Sequence, residues 1–405
     1  MSTVKLSIRN LLYEKVKLAE VLSSKLGYER SERARSDYHA RKYPVHCGAT
    51  VHSVLGCTFR CVYCYLPDMG VSFARAQPYA LSGEEMVLAL ASNPFFLPGL
   101  LGTYIALGSL GEPLHPVGAW RTLEYVEVFA RYLHNPLQLS TKAVVSEEVA
   151  RRLGGVSGAP VNPLVTIIAL KNWSKLEPAA PNPESRLETI SILRRAGLFP
   201  MLFLRPLIPG LEEEAIELMR EAKKRGAVAT VLGSLRVTAS ILSRLEKSGI
   251  DVDRILSRLR RPPEGRAQLS VPMNDVKRGL AEEAKTLGVI PLYSACCAST
   301  LNVYLRTGNR IPCAGLDFID GRFCAGCPVD CRSVRVEVDY DEVKWAVKEF
   351  LNVDARRVEE RGYCLLIAVD DARQALRNLR RKRRFKAMLE TVYRRRIEVV
   401  EGKPA

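Results

Sequence analysis

The chain has 405 residues, with 60 Lys and Arg against 44 Asp and Glu, a net charge of +16 and a pI near 9.4. Its hydrophobic fraction of 47% and charged fraction of 26% are those of an ordinary globular protein, and the most apolar region, Phe95 to Leu110, is cut by Pro98, Gly99, Gly102 and Gly108, which excludes a membrane span there. So basic a balance implies either a polyanionic partner such as RNA or DNA or the Arg-rich surface of a thermophile. No leading segment reads as a signal peptide, because Lys5, Arg9, Glu14 and Lys15 interrupt the first apolar stretch. A soluble, cytoplasmic protein is expected.

In chain order, Leu11, Leu12, Val16, Leu18, Val21 and Leu22 fall near helical spacing and predict one amphipathic helix, followed by the charged connector SERARSDYHARKYP. Residues 1–45 therefore form a helical N-terminal extension. From Val51 short apolar runs alternate with amphipathic stretches. The expected strands are His52–Leu55, Tyr104–Gly108, Leu137–Ser140, Leu164–Leu170, Pro200–Leu204 and Val228–Leu232, with helices near 82–92, 119–133, 146–153, 184–196 and 212–225. Such alternation indicates βαβ units and a parallel sheet over 46–237, closed either as an open doubly wound sheet or as a partial barrel. A helical connector (about 238–247, 251–259 and 274–287) fills 238–290, and a strand at Val289–Tyr293 leads into a cysteine-rich region, 291–338. The C-terminal segment, 339–405, holds a helix near 340–351, a strand around Leu365–Val369 and a very basic helix from about 371 to 396.

Eleven cysteines in a cytoplasmic chain call for an explanation other than structural disulfides. Ten fall in two groups, Cys47, Cys57, Cys61 and Cys64, then Cys296, Cys297, Cys313, Cys324, Cys327 and Cys331; only Cys364 stands alone. In the first group, GCTFRCVYCYLPDMG carries Cys-x3-Cys-x2-Cys directly after the first apolar strand. That spacing delivers three soft thiolates from one loop to a [4Fe–4S] cluster and leaves one iron open for an amino-acid-like ligand. A zinc site short of one ligand, or three core cysteines, would use the same residues.

The motif, with Tyr63 between its last two cysteines, resembles that of the radical S-adenosylmethionine (SAM) superfamily. The resemblance implies an α/β fold, a partial (β/α)6 TIM-type barrel, with the cluster loop after the first strand at the carboxyl ends of the strands, where such barrels place their sites. It further implies that the reduced cluster gives SAM one electron, releasing methionine and a 5′-deoxyadenosyl radical that takes hydrogen from a substrate. A one-electron donor such as ferredoxin or flavodoxin is then required. GSLGEP is similar to the superfamily's Gly-Gly-Glu region, with Leu110 at its first Gly, so Gly111, Glu112 and Pro113 are expected at the methionine end of SAM. Ser140 and Lys142, beside Thr141, would offer polar groups to ribose or carboxylate. LRPLIPGLEEE resembles the adenine-side motif, with Ile208, Gly210 and Glu213 in its later positions and Arg205 within reach of the SAM carboxylate. A narrower resemblance, to the spore photoproduct lyase-like branch, rests on Glu177, Pro178, Pro181, Arg186, Leu187, Ala196, Gly197, Ile208, Pro209 and Gly210. The branch's lyase uses a hydrogen-donating cysteine soon after the cluster motif, and TYIALGS has none there, so the lyase reaction itself does not carry over.

The second group supplies Cys-x2-Cys-x3-Cys (Cys324, Cys327, Cys331) with Cys313 as a fourth ligand, and one of Cys296 and Cys297 at most. A second, auxiliary [4Fe–4S] cluster is expected, with four-thiolate zinc the alternative. In the tail, Leu376, Leu379, Phe385, Met388, Leu389 and Val392 form a docking face, opposite a cationic one carrying Arg380, Arg381, Lys382, Arg383 and Arg384. That face suits the phosphates of RNA or DNA. A nucleic acid substrate is the first expectation, a peptide-modifying enzyme using the auxiliary cluster the second, and a metal-stabilised nucleic-acid-binding protein without catalysis the third.

Overall fold

The computed structural model describes residues 7–44, 48–71, 73–313 and 326–402; Cys47, His46 and Cys324 lie outside them. Buried apolar runs make the strands. β1 (Ala49–Val51), β2 (Ile105–Leu107), β3 (Leu137–Thr141), β4 (Val161–Thr166), β5 (Met201–Leu207), β6 (Ala229–Ser234) and β7 (Ile290–Leu292) join side by side in sequence order, every neighbouring pair parallel. All six residues of β4 are buried, as expected for a parallel strand covered on both faces. Amphipathic helices return the chain between strands: α1 (Ile8–Ser36) precedes the sheet, then come α2 (Gly83–Ser92), α3 (Ala119–Tyr132), α4 (Glu147–Gly154), α5 (Pro183–Arg195), α6 (Glu212–Lys224) and α7 (Asn274–Thr286). Starts are fixed by side-chain caps, such as Ser82 and Glu85 reciprocally bonded at the head of α2. The result is an α/β partial barrel with β1 and β7 at its open edges.

The six-strand expectation is one strand short, because the run expected to lead into the cysteines extends the sheet. Ile290, Pro291 and Leu292 pair with Ala229, Thr230 and Val231, and α7 packs on α6 to deliver them. The first strand is Ala49–Val51 rather than His52–Leu55; Val54 and Leu55 instead pair antiparallel with Pro78 and Gln77. β4 begins three residues earlier than expected. Pro163, which has no N–H to donate, sits inside the ladder opposite Leu139.

α1 is kinked at Gly27 (φ 75°) and is tied down at both ends. Its later part lies on α2, while the Ile8 N–H donates to Glu342 Oε2 (2.6 Å) in α9 (Tyr340–Leu351). After α8 (Ala295–Thr307) and α9 comes a separate three-stranded sheet of β8 (Ala355–Arg361), β9 (Cys364–Val369) and β10 (Arg396–Glu401), with β9 central. The expected basic helix is two helices, Ala372–Arg377 and α10 (Leu379–Tyr393), because the Asn378 side chain caps the second by accepting the Arg381 N–H. Phe385, Met388, Leu389 and Val392 are fully buried against this sheet's core, whereas Leu379 is exposed. No helix among the described residues is long and apolar enough to cross a membrane.

Candidate active site

The loop after β1 is set by two glycines. Gly56 has φ 81°, and a Cβ there would lie 2.2 Å from the Arg75 carbonyl oxygen. Its N–H donates to the Leu110 carbonyl (2.8 Å), and Gly56 bridges Gly111, where a Cβ would stand 2.5 Å from the Val54 oxygen. Only a residue without a side chain permits both approaches, so the GSLGEP turn is pressed against the start of the cysteine loop. The loop's far side is clamped by Arg244, which donates to the carbonyls of Val62 (2.9 Å) and Cys64 (2.7 Å), and by the Val62 N–H to the Leu176 carbonyl (2.9 Å). Asp68 belongs to the same clamp, accepting from Thr238 Oγ1 at 2.8 Å.

Cys57, Cys61 and Cys64 line one cavity of about 560 Å³ at the carboxyl ends of the strands, within the range of small-molecule sites. Tyr63, Gly111, Glu112, Ser140, Lys142 and Arg205 line the same cavity, so most of the residues singled out from the sequence converge there. Pro113, Ile208 and Gly210 do not line it. Pro113 packs against Gly108, Ile208 is buried, and Gly210 (φ 91°) turns the chain from β5 towards α6. His52 also points elsewhere, its Nδ1 2.9 Å from His39 Nε2, and burial lowers its pKa to about 4.

Glu112 is held from three directions. Its Oε1 accepts from Thr141 Oγ1 (2.5 Å) and the Leu114 N–H (3.1 Å), and its Oε2 from the Lys142 N–H (2.8 Å). An ionised carboxylate has about four acceptor sites, so this one keeps capacity for one more donor, such as an ammonium group. Beside it the Lys142 ammonium lies 5.6 Å from the Tyr63 ring and 3.9 Å from Glu177 Oε1. Although desolvation opposes it, the acidic groups around Lys142, Cys61 and Glu177 first, push its pKa up. Burial drives the thiols the other way, raising Cys57 to about 11 and Cys61 further. Bare, these thiols stay protonated at neutral pH; a cluster held by them would take the place of those protons, and Lys142 would offset the resulting negative charge. Three thiols on one wall, a fixed cation and a carboxylate with a spare acceptor site fit a three-ligand cluster binding an amino acid at its open iron. Among the described residues no three His, Cys, Asp or Glu side chains are arranged to hold a single metal ion.

Two groups near the cavity were not legible as site residues. Glu177 and Arg186, both fully buried, form an ion pair (2.6 Å), and Glu177 also accepts the Tyr63 hydroxyl, so a buried salt bridge anchors the middle of the cysteine loop. Arg60 and Arg236 are exposed and join Arg205 on the cavity wall. On α10, Arg380, Arg381 and Arg383 are exposed and Lys382 half-buried, whereas Arg384 is turned over the Phe350 ring at 4.9 Å.

The chain resembles spore photoproduct lyase. A mutant of that enzyme superposes with a TM-score of 0.48 at 17% identity, covering 60% of this chain and 75% of that one. Another mutant, with bound AdoMet and dinucleoside spore photoproduct, gives 0.48 at 15% identity over 66% and 86%. Streptococcus suis SuiB bound to S-adenosylmethionine is similar at a TM-score of 0.34 and 12% identity, over 55% of this chain and 50% of that one. No protein-family model and no curated protein matches the sequence.

Proposed function

We propose that this protein is a radical SAM enzyme acting on a nucleic acid. The observation that carries the chemistry is the lining of one cavity by Cys57, Cys61 and Cys64 together with Glu112 and Lys142. Cys57, Cys61 and Cys64 would hold a [4Fe–4S] cluster there, which would supply one-electron reduction, drawn from a ferredoxin- or flavodoxin-type donor, for cleavage of SAM to methionine and a 5′-deoxyadenosyl radical. The protein's own part is to bind, orient and exclude water. Glu112 accepts the methionine ammonium, Lys142 faces the carboxylate, and Ser140 and Gln138 on β3 offer hydrogen bonds to the nucleoside. The apolar lining by Phe73, Met69 and Phe203 would keep water from the reacting carbon.

Equilibrium dialysis with SAM tests this assignment. The iron-loaded protein is expected to retain SAM and the metal-free protein to release it, with Glu112→Gln weakening retention at least tenfold. Equal retention with and without iron would contradict it.

The nucleic acid half of the proposal rests on unpaired cations. Arg60, Arg205 and Arg236 stand exposed on the cavity wall and have no ion-pair partner among the described residues. Arg380, Arg381 and Arg383 give α10 a second cationic surface. If each of these last three meets a phosphate, replacing all three with Gln lowers the slope of log K against log salt by about 2 to 3. Binding of a mixed RNA pool between low and moderate salt measures this, and an unchanged slope would remove α10 from the interface.

A further inference from the structure

The concave face of the barrel holds a second group of thiols beneath the first cavity. Towards the carboxyl ends of the strands that face is polar, with Gln138, Ser140 and Thr166 on the cavity wall. Towards their beginnings it is apolar, and α8 packs there on Leu164, Met201 and Ala229. Ser299 Oγ donates to Gln138 Oε1 (3.0 Å), and Thr300 Oγ1 lies 2.8 Å from the Tyr104 hydroxyl. Ala295, at the head of α8, lines the first cavity; Cys296, the next residue, is 1% exposed and belongs to the second group.

Three separate stretches of chain meet at that point. The Ser294 hydroxyl lies 2.9 Å from Cys296 Sγ and donates to Cys297 Sγ at 3.0 Å. The Cys313 thiol packs in one cluster with those of Cys296 and Cys297, and its backbone N–H donates to Cys331 Sγ at 3.3 Å. Cys327 packs half-buried against the same group.

Arg394 supplies the independent observation. It follows α10, is 3% exposed, and its Nη2 donates to the carbonyls of Leu101 (3.1 Å) and Gly102 (3.3 Å). Its guanidinium lies 5.1 Å from the centre of the Tyr104 ring, and its Nε has no hydrogen-bond partner. No described carboxylate pairs with it. Among the described residues, the acidic groups that face it are the Tyr104 hydroxyl and the thiols of Cys313, Cys296 and Cys331. A buried guanidinium that, among the described residues, meets thiols and no carboxylate is an uncompensated charge, which folded proteins avoid. A metal-bound thiolate set would carry the negative charge that the described part of the site lacks.

We infer that Cys296, Cys313 and Cys331 ligate an iron–sulfur cluster whose negative charge is the counter-ion of Arg394, with Cys297 and Cys327 at its edge. The assignment keeps Cys313 and Cys331 of the ligands expected from the sequence and takes Cys296 as the one member of its adjacent pair, while Cys327 moves to the edge and Cys324 lies outside the described residues. All three thiols are less than a tenth exposed, so the centre is closed to a macromolecular substrate. It stands apart from the first cluster and holds whether or not that site cleaves SAM.

The test therefore uses full-length protein with Cys57, Cys61 and Cys64 all replaced by Ala, reconstituted anaerobically with iron and sulfide. About four irons per chain are expected, with an electron paramagnetic resonance signal after dithionite reduction, and both are lost on adding Cys313→Ala. Arg394→Gln is expected to lower the midpoint potential, because reduction adds negative charge that the guanidinium no longer offsets, while Arg394→Lys restores much of the shift. Should Arg394→Gln fail to fold by circular dichroism, the Lys variant and the iron count carry the test. Bound zinc or no metal would overturn the cluster, and an unchanged potential in Arg394→Gln would overturn the counter-ion role.

Discussion

Cys61→Ala is expected to cut the iron content of the anaerobically reconstituted protein from about eight to about four per chain and to abolish 5′-deoxyadenosine formation. Cys61 is the middle cysteine of the loop and is 6% exposed, so solvent has little access to take the place of its thiolate. The backbone around it does not depend on the thiol. Val62 donates to the Leu176 carbonyl, Arg244 holds the carbonyls of Val62 and Cys64, and Gly56 is bridged to Gly111. The variant should therefore fold, keep the second group of thiols loaded and lose the chemistry. Iron analysis and product chromatography on the same sample separate these outcomes. Retention of all the iron would show that Cys61 is a core thiol.

The largest effect on stability is expected at Glu177. Glu177 and Arg186 are both fully buried, and the guanidinium donates to Glu177 Oε2 (2.6 Å) and the Thr166 carbonyl (2.9 Å). Removing one member of such a pair leaves a buried charge uncompensated and costs about 3–5 kcal/mol. Glu177→Ala should thus lower the urea midpoint sharply. It should also loosen the cysteine loop, because the Tyr63 hydroxyl loses its acceptor. The double variant Glu177→Leu, Arg186→Met removes both charges and should recover most of the loss, since well-packed apolar replacements of buried pairs are often neutral. A double variant as unstable as the single one would mean that the pair contributes packing rather than charge compensation.

Much of the barrel was legible because its strands are short buried runs between amphipathic helices, and that alternation has few readings. Where the reading slipped, a tertiary contact outranked the local pattern. Val54 and Leu55 are apolar enough for a barrel strand, yet they pair with Gln77 and Pro78, and the barrel takes Ala49–Val51 instead. Val289–Tyr293 looked like a lead-in to the cysteines because nothing local reveals that its neighbour is β6, more than fifty residues earlier.

The site was legible wherever its chemistry sits on contiguous residues. The cysteine loop, Gly111, Glu112 and Lys142 all come from short motifs at strand ends. Glu177 and Arg186 could be read as part of a pattern but not as the anchor of Tyr63, since that role exists only once the loop folds back on them. Arg394 was the least legible. It stands in the run Arg394, Arg395, Arg396 of a basic tail, which reads as solvated charge. Burial of Arg394 under Tyr104 and of Arg395 against Glu360 follows from the docking of α10 and β10.

The measurement that bears most directly on the whole account is 5′-deoxyadenosine released when the anaerobically iron-loaded protein is reduced with dithionite in the presence of SAM. Formation of 5′-deoxyadenosine and methionine in equal amounts, absent without reductant and absent in Cys61→Ala, is the predicted result. Iron-loaded, folded protein that leaves SAM intact under reduction would contradict the account.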